Sequence, residues 1–137
     1  MSSYGTEVLD ARECARLLRS RRIGRIAVHT GDRPAILPVV YAMLDDDVVF
    51  RTAPGEKLIA AVLHQVVAFE TDDFDVDART GWSVDVVGTA EEILDPGDHS
   101  RAESLGLVAW AGEEVRDRYV RIRTEHLTGR RVVPQDT

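Results

Sequence analysis

The sequence predicts a mainly β fold (β+α): about six strands in an antiparallel barrel or sandwich, with short helices at its periphery. Three observations carry that reading. Short runs from Gly24 onward alternate with period two, turn residues separate them closely, and no strand–helix–strand alternation runs along the chain. Strands joined by short turns pair antiparallel, because parallel pairing needs a crossover of about a dozen residues or more. A doubly wound dinucleotide-binding sheet is further excluded because no G-x-G-x-x-G follows any strand.

The elements follow in order. Asp10 with Glu13 three residues later is a helix-start signal, and Ala11, Cys14, Leu17 and Leu18 then share one helical face as far as about Arg19. The stretch Arg19–Arg25 holds Arg19, Arg21, Arg22 and Arg25 and reads as the helix end and a solvated turn. Ile26 and Val28 alternate with Ala27 and His29 up to the turn Thr30-Gly31-Asp32, giving the first strand. Ala35–Met43 and Val48–Thr52 are the next two, parted by Leu44-Asp45-Asp46-Asp47 as a hairpin. After the loop Ala53-Pro54-Gly55-Glu56, Lys57–Leu63 predicts a short helix, and Val66–Thr71 a strand ending in the acidic turn Asp72–Asp77. A longer strand spans about Gly81 to Ile93, Pro96-Gly97-Asp98 open a helix near His99–Leu105, and Tyr119–Ile122 and Leu127–Val133 close with β character.

The 137 residues fit one domain, with roughly the first nine and last four positions expected to be flexible. Seventeen basic against 24 acidic residues leave a formal charge of −7, which argues against nucleic-acid binding. No apolar run approaches the ~20 residues of a membrane span, and the N-terminus lacks a signal-peptide pattern. One cysteine, Cys14, forms no internal disulfide, so a reducing, cytoplasmic location is expected.

Candidate chemistry narrows quickly. Asp73, Asp75 and Asp77 have the opening spacing of a calcium loop, but Ala78 and Val84 stand where glycine and glutamate are required. His29, His64, His99 and His126 are scattered without metal-ligand spacing, and Cys14 lies on an apolar helix face, so no metal site or nucleophile is assigned. The segment Arg51-Thr52-Ala53-Pro54-Gly55-Glu56-Lys57 puts a guanidinium, a hydroxyl and an ammonium around a glycine turn entering a helix. Those groups suit a phosphate as well as plain solvation. Trp82 and Ser83, in Gly81–Ala90, fit either a ring-covering indole with a hydrogen-bonding hydroxyl or an ordinary core strand.

Taken together, these segments resemble the pyridoxamine 5′-phosphate oxidase-like, flavin-binding split-barrel family, especially its short bacterial members. The resemblance rests on Leu17-Leu18 with Gly24–Val28; Arg33-Pro34 with Leu37–Tyr41; and Phe50-Arg51-Thr52 with Gly55-Glu56-Lys57. It continues through Val67–Glu70, Gly81–Val84 with Gly88-Thr89-Ala90, and Leu127–Arg131, so that it covers almost the whole chain. It implies a six-stranded antiparallel split β-barrel and a homodimer holding flavin mononucleotide (FMN) where its subunits meet. By the same resemblance Arg51, Thr52 and Lys57 hold the phosphate, Trp82 and Ser83 belong to the pocket, and the Pro38, Val39 and Val40 backbone lies against the flavin ring. Tyr41 would line the substrate pocket or the core, and Trp110 would cap the flavin edge or pack in a loop.

Two departures shape the functional expectation. Val40 stands where similar sequences often have asparagine, and the second basic set that true vitamin B6 oxidases use for substrate phosphate is missing. The expectation is therefore an FMN-binding small-molecule oxidoreductase that is not a vitamin B6 oxidase, with no catalytic acid or base assigned. The alternatives are an F420-dependent reductase, with Arg19, Arg21, Arg22 and Arg25 as donors to a longer acidic cofactor, a non-catalytic flavin- or haem-binding protein, and an empty dimerising barrel.

Overall fold

The computed structural model describes residues 3–52, 62–107 and 118–135. Its elements are β1 (Ser3–Val8), α1 (Ala11–Ser20), β2 (Ile23–Thr30), β3 (Arg33–Leu44), β4 (Asp47–Thr52), β5 (Val66–Asp75), β6 (Thr80–Glu92), α2 (Pro96–Glu103), β7 (Arg118–Ile122) and β8 (His126–Gln135). All strand pairings are antiparallel. The order β6-β5-β2-β3-β4-β7 closes back on β6, which makes a six-stranded barrel, and β8 and β1 extend the sheet beyond β6. The split-barrel architecture thus stands.

β6 explains the split. One of its edges is paired with β5 over Thr80–Thr89, while the other pairs first with β8, through Gly81–Val87, and then with β7, through Ala90–Glu92. At the changeover sits Gly88, where any Cβ would overlap the carbonyl of Arg123 in the β7–β8 connection. Arg123 N donates to Thr89 O at 3.0 Å and Glu125 N to Val87 O at 3.0 Å, so the connection is laced across β6 at that point. A glycine inside a strand marks such a close backbone approach.

The period-two pattern does what it predicts. Ile26, Val28, Val67, Phe69, Val84 and Val86 point into the barrel, together with Tyr41, Val48, Phe50, Val120 and Ile122. α1 closes one end with Cys14, Leu17 and Leu18. Its cap is the anticipated one: Asp10 Oδ1 accepts from Glu13 N at 2.8 Å. Pro96 opens α2, and Asp95 Oδ2 accepts from Asp98 N at 2.9 Å. A second apolar cluster of Leu44, Val49, Ile93, Ala102, Leu107 and Tyr119 binds α2 to the outside of the β4–β7 wall.

The structure departs from the sequence expectation in two places. Ser3–Val8, where no element was anticipated, is a strand paired with Arg130–Gln135. The β5 strand does not stop at Thr71 but continues through Asp75, because each of these residues pairs with Thr80–Val84 of β6, leaving the turn to Val76–Arg79. Hairpin pairing outweighs the weak strand preference of aspartate there. Most of the expected Lys57–Leu63 helix lies outside the described residues.

Candidate functional site

The β3 strand carries Pro38, Val39 and Val40 opposite Arg25, Gly24 and Ile23 of β2. Alternation divides them. Pro38 is exposed, Val39 packs against the barrel core, and Val40 turns outward against the second apolar cluster. On the neighbouring strand, Phe50 pairs with Tyr41, which brings Arg51 alongside the Val40 end of β3. The half-buried Arg51 donates from Nη1 to Leu107 O at 3.2 Å.

Leu107 is held there because α2, just upstream, is pinned to the barrel. Arg121 on β7 reaches Asp98 of α2 at 3.1 Å, and Arg101 of α2 reaches Asp45 in the β3–β4 turn at 2.7 Å. The His99 and Tyr119 rings meet edge to face at 5.3 Å. A cleft of about 230 Å³ is lined by Leu105–Leu107, by Val40 and Tyr41, and by Arg19, Arg21 and Arg22.

Trp82 and Ser83 sit elsewhere. Trp82 packs half-buried against the barrel core and borders a groove of about 360 Å³ with Asp73, Thr80 and Arg131. Ser83 pairs with Asp72 of β5 and Arg130 of β8. Round the closed barrel, β4 and β6 are four strands apart through β3, β2 and β5 and two apart through β7. But β7 meets β6 only at Ala90–Glu92, whereas Trp82 and Ser83 lie seven or more residues earlier on β6, on the order of 23 Å along the strand. One barrel therefore brings Val40 and Arg51 together but does not join them to Trp82 and Ser83. Thr52 pairs with Arg118 through its backbone, whereas Lys57 and Trp110 lie outside the described residues. Tyr41 belongs to the core: its hydroxyl donates to Leu18 O at 2.6 Å and its ring meets Phe69 edge to face at 4.7 Å.

The sheet between the two regions carries a feature that the sequence analysis did not single out. Outward-facing Arg25, Glu70 and Asp85 line a depression of about 290 Å³ with Asp72 and the exposed Ile36. Arg25 Nη1 lies 3.5 Å from Glu70 Oε1 and 3.9 Å from Asp72 Oδ2. Desolvation, then the neighbouring Asp72, pushes Glu70 up to about 7, with Arg25 opposing. Asp85 is raised too, by burial and by Asp72. The available signal was periodic: Glu70, Asp72 and Asp85 occupy the positions between inward-facing residues on adjacent strands. Among the described residues no cluster of His, Cys, Asp and Glu is arranged to hold a metal ion, and no helix is long and apolar enough to cross a membrane.

Comparison with known proteins gives this geometry its context. The family model described as pyridoxamine 5′-phosphate oxidase matches residues 10–131, which include both regions. The chain belongs to that family. Within it, the chain is 40% identical over 130 residues to the uncharacterized protein Rv0080 of Mycobacterium tuberculosis, covering 91% of this chain and 84% of the relative. A solved FAD binding protein from Mycobacterium smegmatis superimposes with a TM-score of 0.77 at 36% identity, over 90% of this chain and 96% of that one. A FAD-binding protein from Mesorhizobium loti gives a TM-score of 0.71 at 26% identity, over 92% and 97% of the two chains. Both of these solved relatives on the same fold are FAD-binding proteins.

Proposed function

We propose that this family member binds a flavin whose phosphate is held by Arg51, Thr52 and Lys57, and that two copies of the chain complete each site. The observation that carries the reading is the separation of Arg51 and Val40 from Trp82 and Ser83 on a single barrel. A second copy, related by two-fold symmetry, can present its Trp82–Ser83 region to the first copy's Arg51 region, and the reverse. The exposed sheet between them, with Ile36 70% and Ile23 46% accessible, supports the same face-to-face arrangement.

The residues present fit such a group. Arg51 lies half-buried on a strand, its side chain already oriented by the Leu107 carbonyl, so little freedom remains to be lost when it meets an anion. The β3 backbone beside Val40 offers an extended, apolar-flanked surface of the kind a flat ring packs on. We take the flavin to be FMN or a larger cofactor containing the same phosphate, with a deazaflavin such as F420 as the second choice. When bound, the flavin supplies the electron-transfer chemistry, and the chain binds, orients and shields it. The substrate is a small molecule other than a vitamin B6 phosphate, because the basic set for a substrate phosphate is missing. The single buried Cys14 suits the reducing cytoplasm in which we place the protein.

The test uses two variants that each damage one half of the site. Arg51→Ala and Ser83→Asp alone should each lose retained flavin after gel filtration, read from the visible spectrum. Random mixing by unfolding and refolding puts half the chains' dimers in mixed form, each with one intact site, so about a quarter of the sites should return. No recovery on mixing, with both variants folded, would refute a site shared between copies.

A further inference from the structure

We propose that the arginine-edged cleft between the end of α1 and Leu105–Leu107 is an anion subsite. It takes the acidic portion of the cofactor that lies beyond the phosphate assigned to Arg51. The inference rests on the flavin reading above and extends it to the part of the ligand that distinguishes one flavin-type cofactor from another.

The argument starts from what the arginines are needed for. A helix C-terminus is favoured by a cation in its last turn, and Arg19 fills that role in α1. Arg19 is committed, donating to Ala15 O at 3.3 Å and to Asp45 O at 2.7 Å, with Asp46 3.8 Å away. Arg21 is the C-cap of α1 and Arg22 follows it, and the Leu17 and Leu18 carbonyls already accept from Ser20 and Tyr41, so α1 needs neither guanidinium as a donor. Among the described residues Arg21 pairs with Asp73 alone, at 3.5 Å, with both side chains about half exposed, a pairing that solvent leaves weak and exchangeable. The Arg22 side chain makes no hydrogen bond or ion pair among the described residues, and it borders the cleft.

Position supplies the second half. Leu107 lines the cleft and its carbonyl accepts from Arg51, so the cleft begins where the proposed phosphate site ends. Val40, on the strand assigned to the ring, lines the cleft as well. A ligand whose phosphate sits at Arg51 and continues through a further phosphate or carboxylate meets Arg21 and Arg22 next. Guanidinium groups pair bidentately with either anion. On a chain of net charge −7, this edge is a local reversal of sign, able to select an acidic extension against the repulsion of the whole. Two cofactor types share that chemistry: a flavin joined through a pyrophosphate to a nucleoside, and a deazaflavin with an acidic tail.

The experiment titrates wild type and an Arg21→Ala/Arg22→Ala double variant with FMN, FAD and F420, following ligand fluorescence. A remote Arg12→Ala/Arg33→Ala variant controls for net charge. In the expected result, the Arg21/Arg22 variant binds FMN within about twofold of wild type but loses about tenfold or more for FAD or for F420, with the control unchanged. Loss confined to FAD or to F420 identifies which extension the cleft accepts. Equal loss for FMN, no loss for either larger ligand, the same loss in the control, or a wild type that binds FMN alone would overturn the subsite and leave the flavin site standing. A wild type that binds none of the three overturns both readings.

Discussion

Tyr41, Cys14 and Gly88 each show how one side chain, or its absence, settles a piece of this molecule. The last carbonyls of a helix have no intrahelical donor. In α1 the Leu17 carbonyl accepts from Ser20 Oγ at 2.7 Å, and the Leu18 carbonyl from the buried Tyr41 hydroxyl at 2.6 Å. Tyr41→Phe should therefore cost about 1–2 kcal/mol in chemical denaturation, by stranding a helix carbonyl, while leaving flavin retention intact. Loss of flavin at unchanged stability would return Tyr41 to the pocket. Burial, followed by Asp10 and Glu13, pushes the Cys14 thiol up, which matches a packing role. Gly88 admits the Arg123 backbone, and Gly88→Ala should destabilise by about 3 kcal/mol, since the obstruction is main chain rather than a movable side-chain tip. A thermal melt indistinguishable from wild type would contradict that crossing.

At the scale of elements, α2 and the β5 outer face matter most. Arg121 is only 6% accessible, lies 3.3 Å from Asp47 and 3.1 Å from Asp98, and joins β7 to both the β4 start and α2. Without Arg121, Asp47 still faces Arg123 at 3.5 Å and Asp98 still faces Arg101 at 3.4 Å, so Arg121→Ala should cost the lost charged hydrogen bonds, about 1.5–3 kcal/mol. Its chemical denaturation midpoint should fall, and α2 should become the first site of limited proteolysis. A small stability change with an intact α2 would show that the second apolar cluster suffices.

The β5 face makes stability depend on pH. Glu70, facing Asp72 on its own strand, Asp85 on β6 and Arg25 on β2, titrates at about 7 against an ordinary 4.5. The apolar Ile36 of β3 lines the same depression. The folded chain thus holds a proton that the unfolded chain has released between those values, and stability from this group declines as pH rises through that window. Glu70→Gln should flatten the decline and be more stable than wild type at pH 8, by less than about 1 kcal/mol because the carboxylate is partly solvated. Melting curves from pH 5 to 8 check it, and parallel curves for the two proteins would remove Glu70 as the cause.

For the whole molecule, the decisive fact is that closing a barrel turns Val39 and Tyr41 inward and leaves Pro38, Val40 and Arg51 on its outside. A barrel interior filled by Ile26, Tyr41, Phe69, Val84 and Ile122 has no room for a ring system. A cofactor must then lie on the outer wall, where a second copy can cover it. If two copies meet over the β2–β5 sheet, Ile36→Glu should shift the chain from dimer to monomer in sedimentation and weaken flavin binding by about tenfold or more in parallel. A monomeric variant that still holds flavin would separate the cofactor from the dimer.

Much of this was legible in the chain itself. Period-two alternation located β2, β3, β4 and β6, Asp10 and Pro96 announced the helix starts, and the ordered motifs from Leu17 to Arg131 pointed to the family that the match over residues 10–131 bears out. Alternation also contained the division of Val39 inward from Val40 outward. These are local properties, set by side-chain spacing and backbone preference. Which strand lies beside which was not local. The pairing of Ser3–Val8 with β8, the length of β5, the proximity of Leu107 to Arg51 and the gathering of Glu70, Asp72, Asp85 and Arg25 on one face depend on residues far apart in the chain. Sequence alone determined the strands from β2 onward, the caps and the chemical vocabulary of the site. Only the closed sheet decided which of those groups are neighbours, because long-range pairing fixes distances that no local spacing contains.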